Sequence, residues 1–276
     1  MLTRLITIVI AVPIVVALVF WPGGMPFAGL AGAAAVLALF EFYRAVRKGG
    51  ARPHLSLGLA AGLVILYFGR NSYADSLNVI IPAFTALLLL SLAFELKNES
   101  RAPFINVGVT VLGVCYVFLL LMHFVWLRNI HGTGPNGSEL GAWLVMFALI
   151  TTWALDTGAY LVGKFFGKTK IAPSISPGKT IEGSIGGFVF AIIAAAIAAV
   201  FIGIPLFHGL VLGALIGIVG QIGDFVGSAF KREVGIKDFG TLLPGHGGVL
   251  DRIDSLLYTG PVVFWYITIF LTGLTG

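Results

Sequence analysis

A chain of 276 residues that is 58% hydrophobic and only 11% charged lies far below the roughly 25% charged residues of a soluble domain. Its mean hydropathy of +1.01 marks an integral membrane protein. The single cysteine, Cys115, excludes an internal disulfide and a cysteine-based metal cluster, and the net charge of +5 suits anionic lipid and membrane orientation more than nucleic acid.

Apolar runs near the length of a bilayer crossing recur from end to end. Nine spans are expected, at about 4–21, 26–43, 55–69, 77–94, 104–127, 140–163, 183–203, 205–223 and 255–274. The third is short, and the seventh runs into the eighth through Gly203-Ile204-Pro205. The first follows Arg4 and mimics a signal peptide, but no small-residue cleavage site follows it, so it reads as a retained helix. The fold class is therefore all-α and polytopic, with no soluble domain and no evident internal repeat. With nine spans, 15 of the 17 Lys and Arg fall on the side of the N-terminus, and only Arg70 and Arg128 on the other. That asymmetry makes the N-terminus and the large polar loops cytoplasmic and puts the C-terminus on the far side.

Residues 1–130 offer little chemistry and read as a scaffold of spans, with lipid access or dimer contacts as roles. Glu41 and the Arg44–Arg52 cluster read as markers of the cytoplasmic surface. His54, His123, His131 and His208 show no partner pattern and read as boundary or packing residues.

Residues 140–276 read as the catalytic region. Asp156 sits inside the sixth span, where a carboxylate is costly. Thr152, Asp156 and Tyr160 are spaced i, i+4, i+8 and share one face. That face either lines a cavity open to the cytoplasm or makes a helix–helix hydrogen bond. The following loop contains Gly178-Lys179-Thr180, but position 173 is Pro173 where a P-loop needs its first glycine, and no strand precedes it. What remains is Ser176, Lys179 and Thr180 feeding a helix at Ile181, as an anion site or as an ordinary positive-inside loop. Glycines at 209, 213, 217, 220, 223 and 227 allow close approach of a neighbouring helix. Asp224 follows near the expected cytoplasmic end, where the helix dipole disfavours an acid and calls for a cation partner. If the helix continues, Asp224, Ser228 and Lys231 share a face.

The densest chemistry lies between Ser228 and Asp254, where nine of 27 residues are Lys, Arg, Asp, Glu or His. Lys231, Arg232, Lys237 and Arg252 suit phosphate oxygens. Asp238, Asp251 and Asp254 suit a hard divalent cation. Gly245, Gly247 and Gly248 flank His246 and let the backbone approach a ligand. Helix capping is the plainer account of two of the acids, with Asp251 as N-cap and Asp254 at the third position. Cations, carboxylates and bare backbone together are what phosphoryl or nucleotidyl transfer needs.

The motif resembles the signature of the phosphatidate cytidylyltransferases, or CDP-diacylglycerol synthases, through Ser228, Phe230, Lys231, Arg232, Lys237, Asp238, Gly240, Leu243, Pro244, His246, Gly247, Gly248, Val249, Asp251, Arg252, Ile253 and Asp254. Asp156, Ala159-Tyr160, Gly163-Lys164, Gly167-Lys168, Ser176-Pro177, Lys179-Thr180 and Glu182-Gly183 are also similar to that family. The resemblance covers about 140–276; residues 1–130 match only as a hydrophobic multi-span region. It implies a polytopic helical enzyme of a bacterial inner membrane or an organelle, often a homodimer, that uses Mg²⁺, converts CTP and phosphatidate to CDP-diacylglycerol and pyrophosphate, and has no nucleic-acid partner. On that reading Asp224 and Asp251 are the first candidates for Mg²⁺, with Asp156 and Asp254 next, and a second cation is left open. Lys179, Lys231, Arg232, Lys237 and Arg252 would hold phosphates, with Ser176, Thr180, Ser228, Gly247 and Gly248 around the substrates. His246 would contact a phosphate or protonate pyrophosphate, or be purely structural. Two alternatives stay open: a related transferase acting on an ether lipid or polyprenol, and, against the absence of a repeat, an ion-coupled transporter.

Overall fold

The computed structural model describes residues 2–71, 73–97, 102–242 and 247–271. In chain order its helices are α1 (Leu2–Val19), α2 (Met25–Lys48), α3 (Leu55–Gly69), α4 (Tyr73–Lys97), α5 (Pro103–Gly113) and α6 (Leu120–Arg128). They continue with α7 (Leu140–Phe166), α8 (Ile181–Ile202), α9 (Leu206–Glu233) and α10 (Leu250–Phe270). A π-helical turn, Val114–Leu119, joins α5 to α6. Among the described residues seven helices are long and apolar enough to cross a membrane, counting Pro103–Arg128 as one. The expected spans at 4–21 and 55–69 correspond to shorter apolar helices, Val9–Val19 and Leu55–Gly69. Large apolar side chains face outward, as at Phe104 (92% exposed) and Phe207 (69%), which a protein in water avoids and a bilayer solvates.

One departure from an all-helical chain is a small antiparallel hairpin, β1 (Lys170–Ala172) with β2 (Ser176–Thr180). Pro173 sits at the second position of its turn, closed by the Ile175 amide donating to the Ala172 carbonyl at 3.1 Å. Lys170 pairs with Thr180 and Ala172 with Ser176, so one residue of β1 faces three of β2 and the strand bulges around Pro177–Lys179.

The chain forms two compact units. The first is Met1–Trp126 with Lys231–Ile253; the second is Leu127–Phe230 with Asp254–Gly276. In the first, Leu39, Phe42 and Tyr43 of α2 are buried, and Tyr43 packs where Gly58 and Gly113 lack a side chain. A polar network lies beside them. His54 Nε2 is 2.8 Å from Glu95 Oε1, the Asn106 amide donates to Glu95, and the Tyr43 hydroxyl donates to the Thr110 carbonyl at 2.6 Å.

In the second unit α8 packs along α7 and α9 through small residues. Gly158, Gly186 and Gly187 serve the α7 contact, while Gly209 and Gly213 meet Ala199, Ala195 and Ile192 of α8. The expected role of the glycine stripe holds, and its later members Gly223 and Gly227 meet Asp254, Ser255 and Tyr258 of α10. The α8–α9 break is real. Gly203 takes a left-handed conformation at φ 90°, and the Ile204 amide donates back to the Ala199 carbonyl at 2.8 Å. Pro205 then follows the closed-off helix end.

Candidate active site

In the first unit the motif folds around Asp251. Helix α10 starts at Leu250, so Asp251 lies in its first turn and not at the N-cap. Its carboxylate turns back along the chain. Oδ2 accepts from the Gly248 amide at 3.0 Å and the Phe239 amide at 2.8 Å, while Oδ1 accepts from Lys231 Nζ at 2.7 Å. The pair is dry, with side chains 11% (Lys231) and 3% (Asp251) exposed. Gly247 has φ 81°, and a side chain there would meet Asp251 Oδ2 and the Asp238 carboxylate. Lys231, Asp251, Gly247 and Gly248 are thus brought together, with Asp238 beside them. Arg232, Lys237 and Arg252 are exposed, and Arg232 Nη1 donates to the Ile236 carbonyl at 3.1 Å. His246 lies outside the described residues, as do Leu243, Pro244 and Gly245.

One residue of this cluster was read differently from sequence. Glu41, taken as a surface marker, is 6% exposed. Its Oε2 accepts from the Leu250 amide at 2.9 Å, and its carboxylate fills the space that side chains at Gly240 and Gly248 would need. Arg44, Arg47 and Lys48 on the same helix are exposed.

In the second unit Lys179 of β2 and Asp224 of α9 form an ion pair at 2.7 Å, with Lys179 Nζ 3.9 Å from the centre of the Phe225 ring. The cation partner expected for Asp224 is therefore present, but for another reason than a helix end. Helix α9 runs on to Glu233, so Asp224, Ser228 and Lys231 do follow one another at i, i+4, i+7 on a continuous helix. Thr180 caps α8, its hydroxyl accepting from the Gly183 amide at 3.1 Å. Glu182 accepts from the amides of Lys168 at 3.0 Å and Thr169 at 3.2 Å, which ties the hairpin's base to the helix start. Ser176 begins β2. On the Asp156 face, Thr152 is buried and donates to the Ala148 carbonyl at 2.8 Å, with Thr259 Oγ1 3.1 Å away. Asp156 and Tyr160 are exposed, so Thr152 is the packed member of the three. Asp254 is buried and accepts from the Ser255 amide at 2.8 Å, and Gly227 leaves it room. Ser228 is buried as well.

Among the described residues no three His, Cys, Asp or Glu side chains gather in a group that could hold a metal ion. The donor chemistry at Asp224 and Asp251 nonetheless suits a hard cation. Each carboxylate has an ammonium 2.7 Å from one oxygen, so a metal ion would share the carboxylate with that lysine or displace it.

A family model described as the cytidylyltransferase family matches residues 2–270. The match reaches through the N-terminal half, where sequence reading found only hydrophobicity. A phosphatidate cytidylyltransferase of Bacillus subtilis (strain 168) is 36% identical, covering 97% of each chain. One of Synechocystis sp. (strain ATCC 27184 / PCC 6803 / Kazusa) is 32% identical, covering 99% of this chain and 98% of its own. Uncharacterized protein YnbB of Escherichia coli (strain K12) is 48% identical over 204 residues, 73% of this chain and 66% of its own. By its motif, its helical membrane architecture and this end-to-end match, the chain belongs to the cytidylyltransferase family.

Proposed function

We propose that the protein transfers the cytidylyl group of CTP to phosphatidate, giving CDP-diacylglycerol and pyrophosphate. The observation that carries this is the match, over nearly the whole of both chains, to relatives named for that reaction. The chemistry of the motif agrees with it. A phosphate oxygen of phosphatidate, already anionic near neutral pH, attacks the α-phosphorus of CTP. The bond from that phosphorus to the β-phosphate bridging oxygen breaks, and pyrophosphate leaves with the electron pair. No strong protein base is needed, so the work is positioning and neutralisation of charge. Lys179, Lys231, Arg232, Lys237 and Arg252 are the phosphate-holding cations of the proposal. Gly247, Gly248, Ser176, Thr180 and Ser228 stand around the substrates in the proposal. His246 keeps its proposed phosphate contact.

Mg²⁺ belongs to the proposal as cofactor, with Asp224 and Asp251 as first ligands and Asp156 and Asp254 next. When bound it supplies charge neutralisation on the transferring phosphate.

The finer architecture is proposed as nine spans, with the N-terminus and active site facing the cytoplasm, in a bacterial inner membrane, as a homodimer. The charge distribution supports the crossing of α3 in particular. Without it, ten of the 15 Lys and Arg on the side of the N-terminus would move to the far face. At about 1.5 Å per residue α3 reaches roughly 22 Å against a core of about 30 Å, a mismatch that local thinning accommodates.

The test uses purified protein with phosphatidate, Mg²⁺ and labelled CTP. Label from the α-phosphate should enter lipid, and label from the γ-phosphate should leave only as pyrophosphate. Lipid labelled from the γ position would mean a kinase, and no lipid product from phosphatidate would mean another acceptor.

A further inference from the structure

The motif's acids and cations do not account for what holds the start of α10 in place. Helix α10 carries Asp251 in its first turn, and its leading amides need acceptors. Neither Val249 nor Gly248 has a side chain that can accept a hydrogen bond. The acceptor comes from α2, where Glu41 takes the Leu250 amide at 2.9 Å across 209 residues of chain. The fit is specific on both sides. Side chains at Gly240 and Gly248 would each collide with the Glu41 carboxylate, so two glycines of the motif form the slot in which it lies. Asp251 meanwhile holds the Gly248 and Phe239 amides. The backbone between Phe239 and Leu250 is therefore fixed near its two ends by two carboxylates, one belonging to the motif and one brought in from the N-terminal region.

We infer that Glu41 is a positioning residue for the transfer reaction: it caps α10 from outside the motif, sets where Gly248 and Asp251 stand, and does so by accepting a hydrogen bond from Leu250. The role in turnover rests on the cytidylyl-transfer reading; the capping role does not. A carboxylate in a spanning helix is costly to insert, so its placement against backbone amides gives the burial a reason that a surface anchor lacks.

The experiment compares Glu41→Ala, Glu41→Asp and Glu41→Gln in the full-length protein in detergent, by CTP-dependent lipid labelling and by amide hydrogen exchange. Alanine removes the acceptor, aspartate keeps the charge but falls one methylene short, and glutamine keeps a carbonyl at the right reach. Expected are a fall in kcat of about 10- to 100-fold for Ala and Asp, as for a small misplacement of reacting groups. KM for CTP should change less than about threefold, as for a residue that acts through the backbone it holds. Gln should stay at least about tenfold faster than Ala. Peptides covering residues 247–252 should exchange faster in Ala and Asp, with α7 peptides unchanged. If Ala fails to fold, Asp against Gln decides the same question. Aspartate with wild-type turnover, glutamine no better than alanine, or unchanged exchange at 247–252 would each overturn the inference. Should the wild type transfer no cytidylyl group, the functional reading fails, and the exchange data still decide the capping.

Discussion

Asp251 serves three donors at once: the Lys231 ammonium and the amides of Phe239 and Gly248. An asparagine offers one oxygen and presents an NH₂ to groups that are themselves donors. Were Asp251 only an N-cap, asparagine would replace it almost without cost. In the buried pair, Asp251→Asn strands an ammonium, and the expected loss is about 3–5 kcal/mol. Lys231→Met combined with Asp251→Asn removes the stranded charge and should recover at least half of that loss in thermal melts, while remaining inactive. If the double variant is as unstable as the single, the pair is not what Asp251 contributes. Asp224 should behave differently. Its pair with Lys179 is open, with side chains 37% and 24% exposed, and is worth about 0–1 kcal/mol. Asp224→Asn should fold normally yet lose on the order of 100-fold in turnover, as for loss of a group that stabilises developing charge, with the residual rate rising as Mg²⁺ is raised. Full activity in this variant would remove Asp224 from the site. The local part of this chemistry was legible because Lys231 and Asp251 lie within one dense stretch. Glu41 was not legible, because a lone acid near a basic span end looks like an anchor and its partner is 209 residues away.

Helix pairing in the second unit depends on absent side chains. A Cβ at Gly213 would stand 2.7 Å from Ile192 Cα and 2.8 Å from Ala195 Cβ, backbone and stub that cannot rotate away. Gly213→Ala should therefore force α8 and α9 apart and cost about 1–3 kcal/mol. At Gly108, where no atom lies within 4 Å, the same exchange should be neutral or slightly stabilising. Melting both in one detergent checks the pair, and equal melting temperatures would contradict the packing. The stripe was readable because its four-residue spacing has one physical meaning. The hairpin was not, because Pro173, Pro177 and Gly178 are residues that usually end strands. A turn with proline at its second position and a bulged edge strand tolerates all three.

For the whole molecule, the membrane class followed from composition and the helix positions from hydrophobic runs, while the length of a run could not show whether α3 crosses. The two arginines assigned to the far side are both held locally. Arg70 donates to the Tyr67 carbonyl at 2.7 Å, and Arg128 pairs with Glu139. They behave as structural residues and weigh little against the asymmetry of the rest. The expected topology is tested by single cysteines at Lys48, Lys168 and Lys237 in a Cys115→Ser background. An impermeant thiol reagent should fail to label them in intact cells and should label a cysteine at Asn136. Labelling of Lys168→Cys without labelling of Lys48→Cys would mean that α3 does not cross.

The capping of α10 by Glu41 also has a schedule. At about 5–20 residues per second, the 209 residues separating Glu41 from Leu250 take roughly 10–40 s to synthesise. Throughout that interval the nascent protein holds a carboxylate in its second helix before the amide that receives it has been made. The first unit cannot close until the ribosome has almost finished. Every chain released before Leu250 carries an unsatisfied acid within a hydrophobic segment, a mark by which incomplete copies differ chemically from finished ones.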